Sequence, residues 1–461
     1  MRNNKYLILS ALLSLVAYFL IVVHVNAKSL HPAHKQPIII KPEISNPYVE
    51  YGTDGEMYVN MKIWGKDVAP VKRPPVDLIL VIDESGSMHE KGKLTYAKKA
   101  AKDLVSRLNS NDNIGIVAYS DYSRVIYPLQ RLKNKKQVKR LIDNIYPTNA
   151  TNLSSGLIEA IKQIKYGNYY FGHDSVRFRN LKIILLSDGL ANRGITDIYS
   201  LSEISSRASS EGIYITTMGL GLNYDEDLLT SIAEYGAGNY YFIESPRQIA
   251  YIFDREFRYM SSTVAKDVVL EIDLNPGVHL SELYGYKYDI VGNKIIIKLG
   301  NYFSGQKSNI KFALEVPAKK SGRNKLFSTV LRYQNMEDGK EQTLKDAKEY
   351  YVTKNINKVK RNENKQIEAD FTSVKAARDL ESASREYEMG RKASAVTKIK
   401  GALDNLRELN KSDFRSDDTV EQEEVLSEAY KDMSTAPASP SSESGKRIIK
   451  KYKSESRLQQ K

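Results

Sequence analysis

The hydrophobic pattern of this chain changes period twice. Between 76 and 260, short continuous apolar runs alternate with stretches of helical spacing. From 265 to 353 apolar and polar residues alternate by twos, and from 366 to 433 apolar residues recur every three or four positions. The run Val-Asp-Leu-Ile-Leu-Val-Ile-Asp-Glu-Ser-Gly-Ser-Met over 76–88 organises the first region. Its Leu, Ile and Val lack the alternation of a half-exposed strand, which predicts a parallel strand buried on both faces and ended by the turn at Gly86. Further strands are predicted over 113–120, 124–132, 180–186, 213–219 and 239–243. Helices are predicted over 94–108, 135–145, from Thr151 through Leu157 and Ile161 to Ile164, and over 201–211, 225–235 and 246–259. Such alternation reads as α/β, a doubly wound, mostly parallel Rossmann-like sheet over 76–260.

The two-residue period of 265–353 predicts a flanking antiparallel β-sandwich, with Val268, Leu270, Ile272 and Leu274 on one face of its first strand. Tyr284, Tyr286 and Tyr288 alternate along one face, which favours sheet packing over a binding stripe. The same period recurs upstream in 55–64, where Met57, Val59, Met61 and Ile63 alternate with Tyr58, Asn60, Lys62 and Trp64. The segment 55–75 is expected to join the β domain, which would make the α/β domain an insertion in it. Residues 28–54 read as an extended linker and 354–365 as a charged one. Ile367, Phe371, Val374, Ala377 and Leu380, then Ala395, Ile399, Ala402 and Leu406 after Gly390, predict a C-terminal α-helical hairpin within 366–433. Residues 434–461, rich in Ser, Pro and Lys, read as a disordered basic tail.

Composition narrows the class. With 461 residues and 41% hydrophobic content the chain can bury more than one core. It has no cysteine, which excludes disulfides, thiolate zinc sites and iron–sulfur clusters. The net charge of +13 is concentrated in 354–365 and 446–453, and no recognition motif accompanies it, so no nucleic-acid partner is expected. Arg2 and Lys5 precede an uncharged run over 6–25, and Val25-Asn26-Ala27 offers a small-residue cleavage site. Residues 1–27 therefore read as a signal peptide cut after Ala27 or, since the run is long enough to span a bilayer, as an uncut membrane anchor. Either way Lys28 onward is expected outside the cytosol, in the periplasm or at the cell surface.

Chemistry gathers at strand ends. Asp83, Ser85 and Ser87 leave the first buried strand at i, i+2 and i+4, so their oxygens can converge on one hard cation. Pro147 to Leu153 is a polar turn opening a helix, and Asp188-Gly189 follows the second strongly apolar strand. Taken without a ligand, the serines would form a turn, Thr151 would cap a helix and Asp188 would bind backbone amides. The five positions Asp83-x-Ser85-x-Ser87, Thr151 and Asp188 resemble the metal-ion-dependent adhesion site of von Willebrand factor type A domains of the bacterial exported type. The resemblance covers about 76–259. It implies that Ser85 and Ser87 contact the ion directly, and that Thr151, Asp83 and Asp188 do so directly or through water. Asn149-Ala150 departs from the Gly-Gly found before the threonine in many bacterial members, which would stiffen the loop.

Neutral hydroxyls with two carboxylates leave a divalent ion with affinity for one more anionic oxygen, which suits Mg²⁺, with Mn²⁺ or Ca²⁺ as alternatives. The function expected is divalent-metal-dependent protein–protein interaction, in adhesion or envelope assembly, with a partner that presents Asp or Glu to the metal. No nucleophile–base pair or phosphate-binding loop is visible, so no enzyme activity is expected. A metal-dependent hydrolase and an envelope component with a purely structural metal are the alternatives. Asp83 and Asp188, at the loop-bearing end of the sheet, are expected to be replaceable without loss of fold.

Overall fold

The strand Val76–Asp83 is buried along its whole length and lies at the middle of a six-stranded sheet. The computed structural model describes residues 36–67, 73–171, 178–437 and 439–460, with the side chains of 168–171 left aside. The segment 1–27, read as signal peptide or anchor, lies outside the described residues. Among the described residues no helix is long and apolar enough to cross a membrane.

In chain order the strands are β1 Ile38–Ile44, β2 Tyr48–Glu50, β3 Gly55–Gly65, β4 Val76–Asp83, β5 Asn113–Tyr119, β6 Ser123–Arg131, β7 Asn180–Ser187, β8 Ile213–Leu220 and β9 Tyr240–Ile243. Helices α1 Lys93–Arg107, α2 Lys135–Asp143, α3 Leu153–Phe171, α4 Ile198–Ser210, α5 Glu226–Tyr235 and α6 Gln248–Ser261 connect β4 through β9 and follow it. The central sheet runs β6-β5-β4-β7-β8-β9, parallel except for the β5–β6 hairpin. Leu78, Leu80 and Ile82 face a core built with α1 and α6, while Ile79 and Val81 face one built with α3, α4 and α5. Two-sided burial is why β4 carries no polar alternation. Chain order reverses between β4 and β7, so their carboxyl ends flank the crevice where doubly wound sheets bind ligands.

The second unit follows: β10 Thr263–Leu274, β11 His279–Leu283, β12 Asp289–Val291, β13 Lys294–Phe303, β14 Lys307–Val316, β15 Gly322–Asn335 and β16 Glu341–Thr353. Two sheets, β1-β3-β14-β11 and β12-β13-β10-β15-β16-β2, enclose one core, with Met57, Val59, Met61 and Ile63 of β3 meeting Leu270 and Ile272 of β10. β3 pairs antiparallel with β14 from Trp64↔Lys307 to Gly55↔Val316, and none of its partners is in the central sheet. The α/β domain is thus inserted into the sandwich. Tyr284 is buried and meets the ring of Phe371 edge-on, so it serves packing, whereas Tyr288 is exposed.

Three sequence expectations need correction. Residues 28–54 are not linker throughout, because β1 and β2 take places in the two sheets. β1 contributes the buried Ile38 and tolerates Pro42 because it is an edge strand, with one side free of ladder bonds. Nor is 354–365 wholly a linker: it holds the short helix α7, Ile356–Arg361, capped by Asn355. The third correction is the tail. After α8 Lys365–Glu388, α9 Lys392–Leu409 and α10 Asp417–Thr435 comes a further helix, α11 Glu443–Gln460, so the predicted hairpin is part of a four-helix bundle and 434–461 is not a disordered tail.

Ile448, Ile449 and Tyr452 of α11 join the bundle core, and its cations pair with acids on two neighbouring helices. Lys453 pairs with Glu388 at 2.7 Å and Asp227 at 3.4 Å, and Lys450 donates to the carbonyl of Tyr224 at 2.9 Å. Arg457 reaches Glu226 at 3.2 Å, Asp227 at 3.1 Å and Glu381 at 3.6 Å. Helix α11 therefore ties α5 of the α/β domain to α8 of the bundle. Burial pushes the Glu226 carboxyl up to about 7 against the opposing pull of Arg457, Lys450 and Lys453. Burial also brings the Lys450 ammonium down to about 8.

Candidate metal centre

Asp83 is the last residue of β4, and the chain turns immediately after it. The Asp83 carboxylate accepts the Ser85 amide at 2.8 Å through Oδ1, while its Oδ2 accepts the hydroxyls of Tyr119 and Ser187, both at 3.1 Å. These donors hold the turn that brings Ser85 and Ser87 together, their Oγ atoms 3.2 Å apart. Gly86 between them lies against the helix-opening turn: its amide donates to the Asn149 carbonyl at 3.4 Å, and a Cβ there would lie 3.0 Å from the Thr148 carbonyl oxygen. Glu84 anchors that turn from the other side, its carbonyl accepting the Thr148 amide and hydroxyl at 2.6 and 3.1 Å.

Asp188 follows β7 and is fully buried. Its Oδ1 accepts the Ser87 hydroxyl at 2.7 Å and, more distantly, that of Ser85 at 3.5 Å; its Oδ2 takes the Lys93 ammonium at 2.6 Å. Thr151 stands at the start of α3, its amide held by the Asn192 side chain at 3.0 Å. A Cβ on Gly189 would lie 3.2 Å from the Thr151 hydroxyl and 3.6 Å from that of Ser87, so both hydroxyls flank the same point. The structure thus links Asp83, Ser85, Ser87 and Asp188 by hydrogen bonds and sets Thr151 beside them.

Among the described residues no three of His, Asp and Glu cluster as a ligand set, so a cation here would rest on hydroxyls with carboxylates in support. The donor set fits a hard cation: the hydroxyls of Ser85 and Ser87 and the carboxylates of Asp83 and Asp188 lie in one hydrogen-bonded cluster with the Thr151 hydroxyl beside it, all from neighbouring strand and helix ends. Burial, and then the charge of Asp188, push the Asp83 carboxyl up to about 6. A proton would compete with a cation below that pH. Tyr119 is raised well above the ordinary tyrosine range, first by burial and then by Asp83, so it stays a hydroxyl donor.

The expectation that Asp83 and Asp188 can be replaced without loss of fold left out their burial: both are fully buried and each satisfies several donors, so replacement carries a stability cost. Sequence reasoning also missed Tyr119, Ser187, Asn192 and Lys93. Ser187 adjoins Asp188, and Tyr119 closes the strand beside β4, so adjacency was the available signal for both. Lys93 gives a weaker one, a lysine opening a helix just after the loop that carries Ser85 and Ser87.

Residues 77–255 match the family model of the von Willebrand factor type A domain. The chain is 31% identical over 265 residues to the uncharacterized protein YfbK of Escherichia coli K12, an alignment covering 57% of this chain and 44% of that relative. The chain thus spans less than half the length of that protein. The solved structure of a von Willebrand factor type A protein from Catenulispora acidiphila superposes with a TM-score of 0.70 at 16% identity, covering 92% of this chain and 97% of that one. The ArnB paralog VWA2 from Sulfolobus acidocaldarius superposes with a TM-score of 0.59, also at 16% identity, over 90% and 98% of the two chains. Both are likenesses of fold, and they extend over the sandwich and helices as well as the α/β domain. The segment 77–255 is thus a von Willebrand factor type A domain, carried within a longer chain.

Proposed function

We propose that this chain works outside the cytosol, secreted or anchored at the cell envelope, and holds a protein partner through a divalent ion at Ser85, Ser87, Thr151, Asp83 and Asp188. The ion is Mg²⁺ in this reading, with Mn²⁺ or Ca²⁺ able to replace it. The observation that carries the reading is the donor chemistry. Ser85, Ser87 and Asp188 already converge within hydrogen-bonding distance, and most of the oxygens are neutral. Hydroxyl ligands add no charge, so the two carboxylates at most balance a divalent ion and do not over-neutralise it, which leaves room for one further anionic oxygen from a partner's Asp or Glu.

A hydrolytic reading is less favoured by the same geometry. Asp83 is engaged by three donors, and the carboxylate of Glu84 is held by Arg124 at 2.8 Å, so neither is free to take a proton from water.

The test is capture on the immobilised full chain from envelope extract, with proteins retained in Mg²⁺ identified by mass spectrometry. The expected result is a set lost both in chelator and with Asp188→Asn. Retention of the same set under all conditions would remove the metal from the interaction.

A further inference from the structure

Lys93 is the feature of this centre that the adhesion-site motif does not account for. It opens α1, is 6% exposed, and places Nζ 2.6 Å from Asp188 Oδ2, while the Ser87 hydroxyl occupies Asp188 Oδ1 at 2.7 Å. The two oxygens of Asp188 are thus divided between the Lys93 side chain and the hydroxyl cluster. The other carboxylate near this ammonium, Glu90, is 3.9 Å away and 65% exposed, so water screens most of its charge.

We propose that Lys93 sets the charge of the metal centre: its ammonium offsets one of the two carboxylates, weakening cation binding and leaving the loaded site net positive, so that its open position prefers an anionic oxygen. This rests on the metal reading above. Asp83 and Asp188 contribute two negative charges, and Lys93 returns one. A divalent ion then leaves the buried cluster with one excess positive charge, where without the lysine it would be neutral. In a site this buried, that single charge acts on both equilibria at once: it opposes the ion and favours the carboxylate that follows it. The site is thereby tuned toward partner binding and away from tight metal retention.

A purely structural lysine would behave differently. If Lys93 only oriented Asp188, its removal would loosen the ligand and weaken the ion. Lys93 also lines a cavity of about 320 Å³ with Glu90, Glu244, Lys446 and Arg447, so uncharged side chains at 93 meet no overpacking.

The experiment is Mg²⁺ calorimetry on the full chain in detergent, comparing wild type with Lys93→Met, Lys93→Gln and Lys93→Arg. Gln keeps a donor for Asp188 without the charge, and Arg keeps the charge. Expected are affinities tightened roughly ten-fold or more in Met and Gln, and Arg within about three-fold of wild type. Acetate, a probe for the open position, should bind the Mg²⁺-saturated Met and Gln variants more weakly than wild type. Unchanged or weaker Mg²⁺ binding in Met and Gln, with wild type binding normally, overturns the role of Lys93 alone. No Mg²⁺ binding by any of the four proteins overturns the metal reading and this inference with it.

Discussion

Asp188→Asn should weaken Mg²⁺ binding by roughly 100-fold or more while the protein stays folded. The substitution removes the carboxylate that anchors the Ser87 hydroxyl and faces the cluster, and a neutral amide oxygen is a far poorer partner for a divalent ion in a buried site. The amide still offers an oxygen to Lys93, so the buried ammonium keeps a hydrogen bond. Asp188→Ala is a different experiment. It would leave the Lys93 ammonium buried without its partner at 2.6 Å, and breaking such a pair costs about 3–5 kcal/mol. Calorimetry and thermal unfolding separate the two: both should lose the ion, and Asn, which keeps the hydrogen bond to Lys93 though not the charge, should melt above Ala. An Asn variant that binds Mg²⁺ like wild type would show that Asp188 is no ligand.

The second large effect is expected far from the metal. Arg457→Ala should destabilise the protein by about 3 kcal/mol at pH 8, because it leaves the buried Glu226 carboxylate without the guanidinium 3.2 Å away. The penalty should shrink on acidification. Glu226 is raised from 4.5 to about 7, so the folded state takes up its proton before the unfolded state does. Its contribution to stability is fully present below the unfolded value and is lost as pH rises through about 7. At pH 5 Glu226 is neutral and needs no cation, so what persists there is the loss of contacts from Arg457 to Asp227 and Glu381. Denaturant unfolding of wild type and variant at pH 5, 6.5 and 8 measures the difference. A cost that is equal at all three would mean that Glu226 stays ionised throughout.

How far the sequence revealed these features depended on whether the signal was local. The central sheet was legible because two-sided burial forces continuous apolar runs, as in β4 and β7, where every position is buried. The alternation of β3 was legible for the opposite reason, since a sandwich strand shows one face to the core. Its pairing with β14, some 250 residues away, followed from the need for an antiparallel partner and not from any local motif. The five candidate site residues stood out because strand ends and a helix start bring them together at fixed points in the topology.

What stayed hidden was burial achieved through charge. Helix α11 has three core apolar residues, Ile448, Ile449 and Tyr452, against a background of Lys, Arg and Ser. Composition alone reads that as a solvated tail, yet Lys453 is 1% exposed because acids on α5 and α8 await it. Lys93 is the same case at the candidate metal centre. Nothing in its neighbourhood in sequence announces that Asp188, 95 positions later, receives its ammonium. β1 was obscured by Pro42, which argues against a strand until its edge position is known.

The most direct measurement is anomalous diffraction from crystals of the full chain grown with Mn²⁺. A single manganese peak should lie about 2.0–2.3 Å from the Ser85 and Ser87 hydroxyls, beside Thr151 and Asp188, and should vanish in Asp188→Asn crystals grown the same way. Ordered density for the loops after β4 and β7 with no manganese between them, or a peak ligated by other residues, would contradict the account.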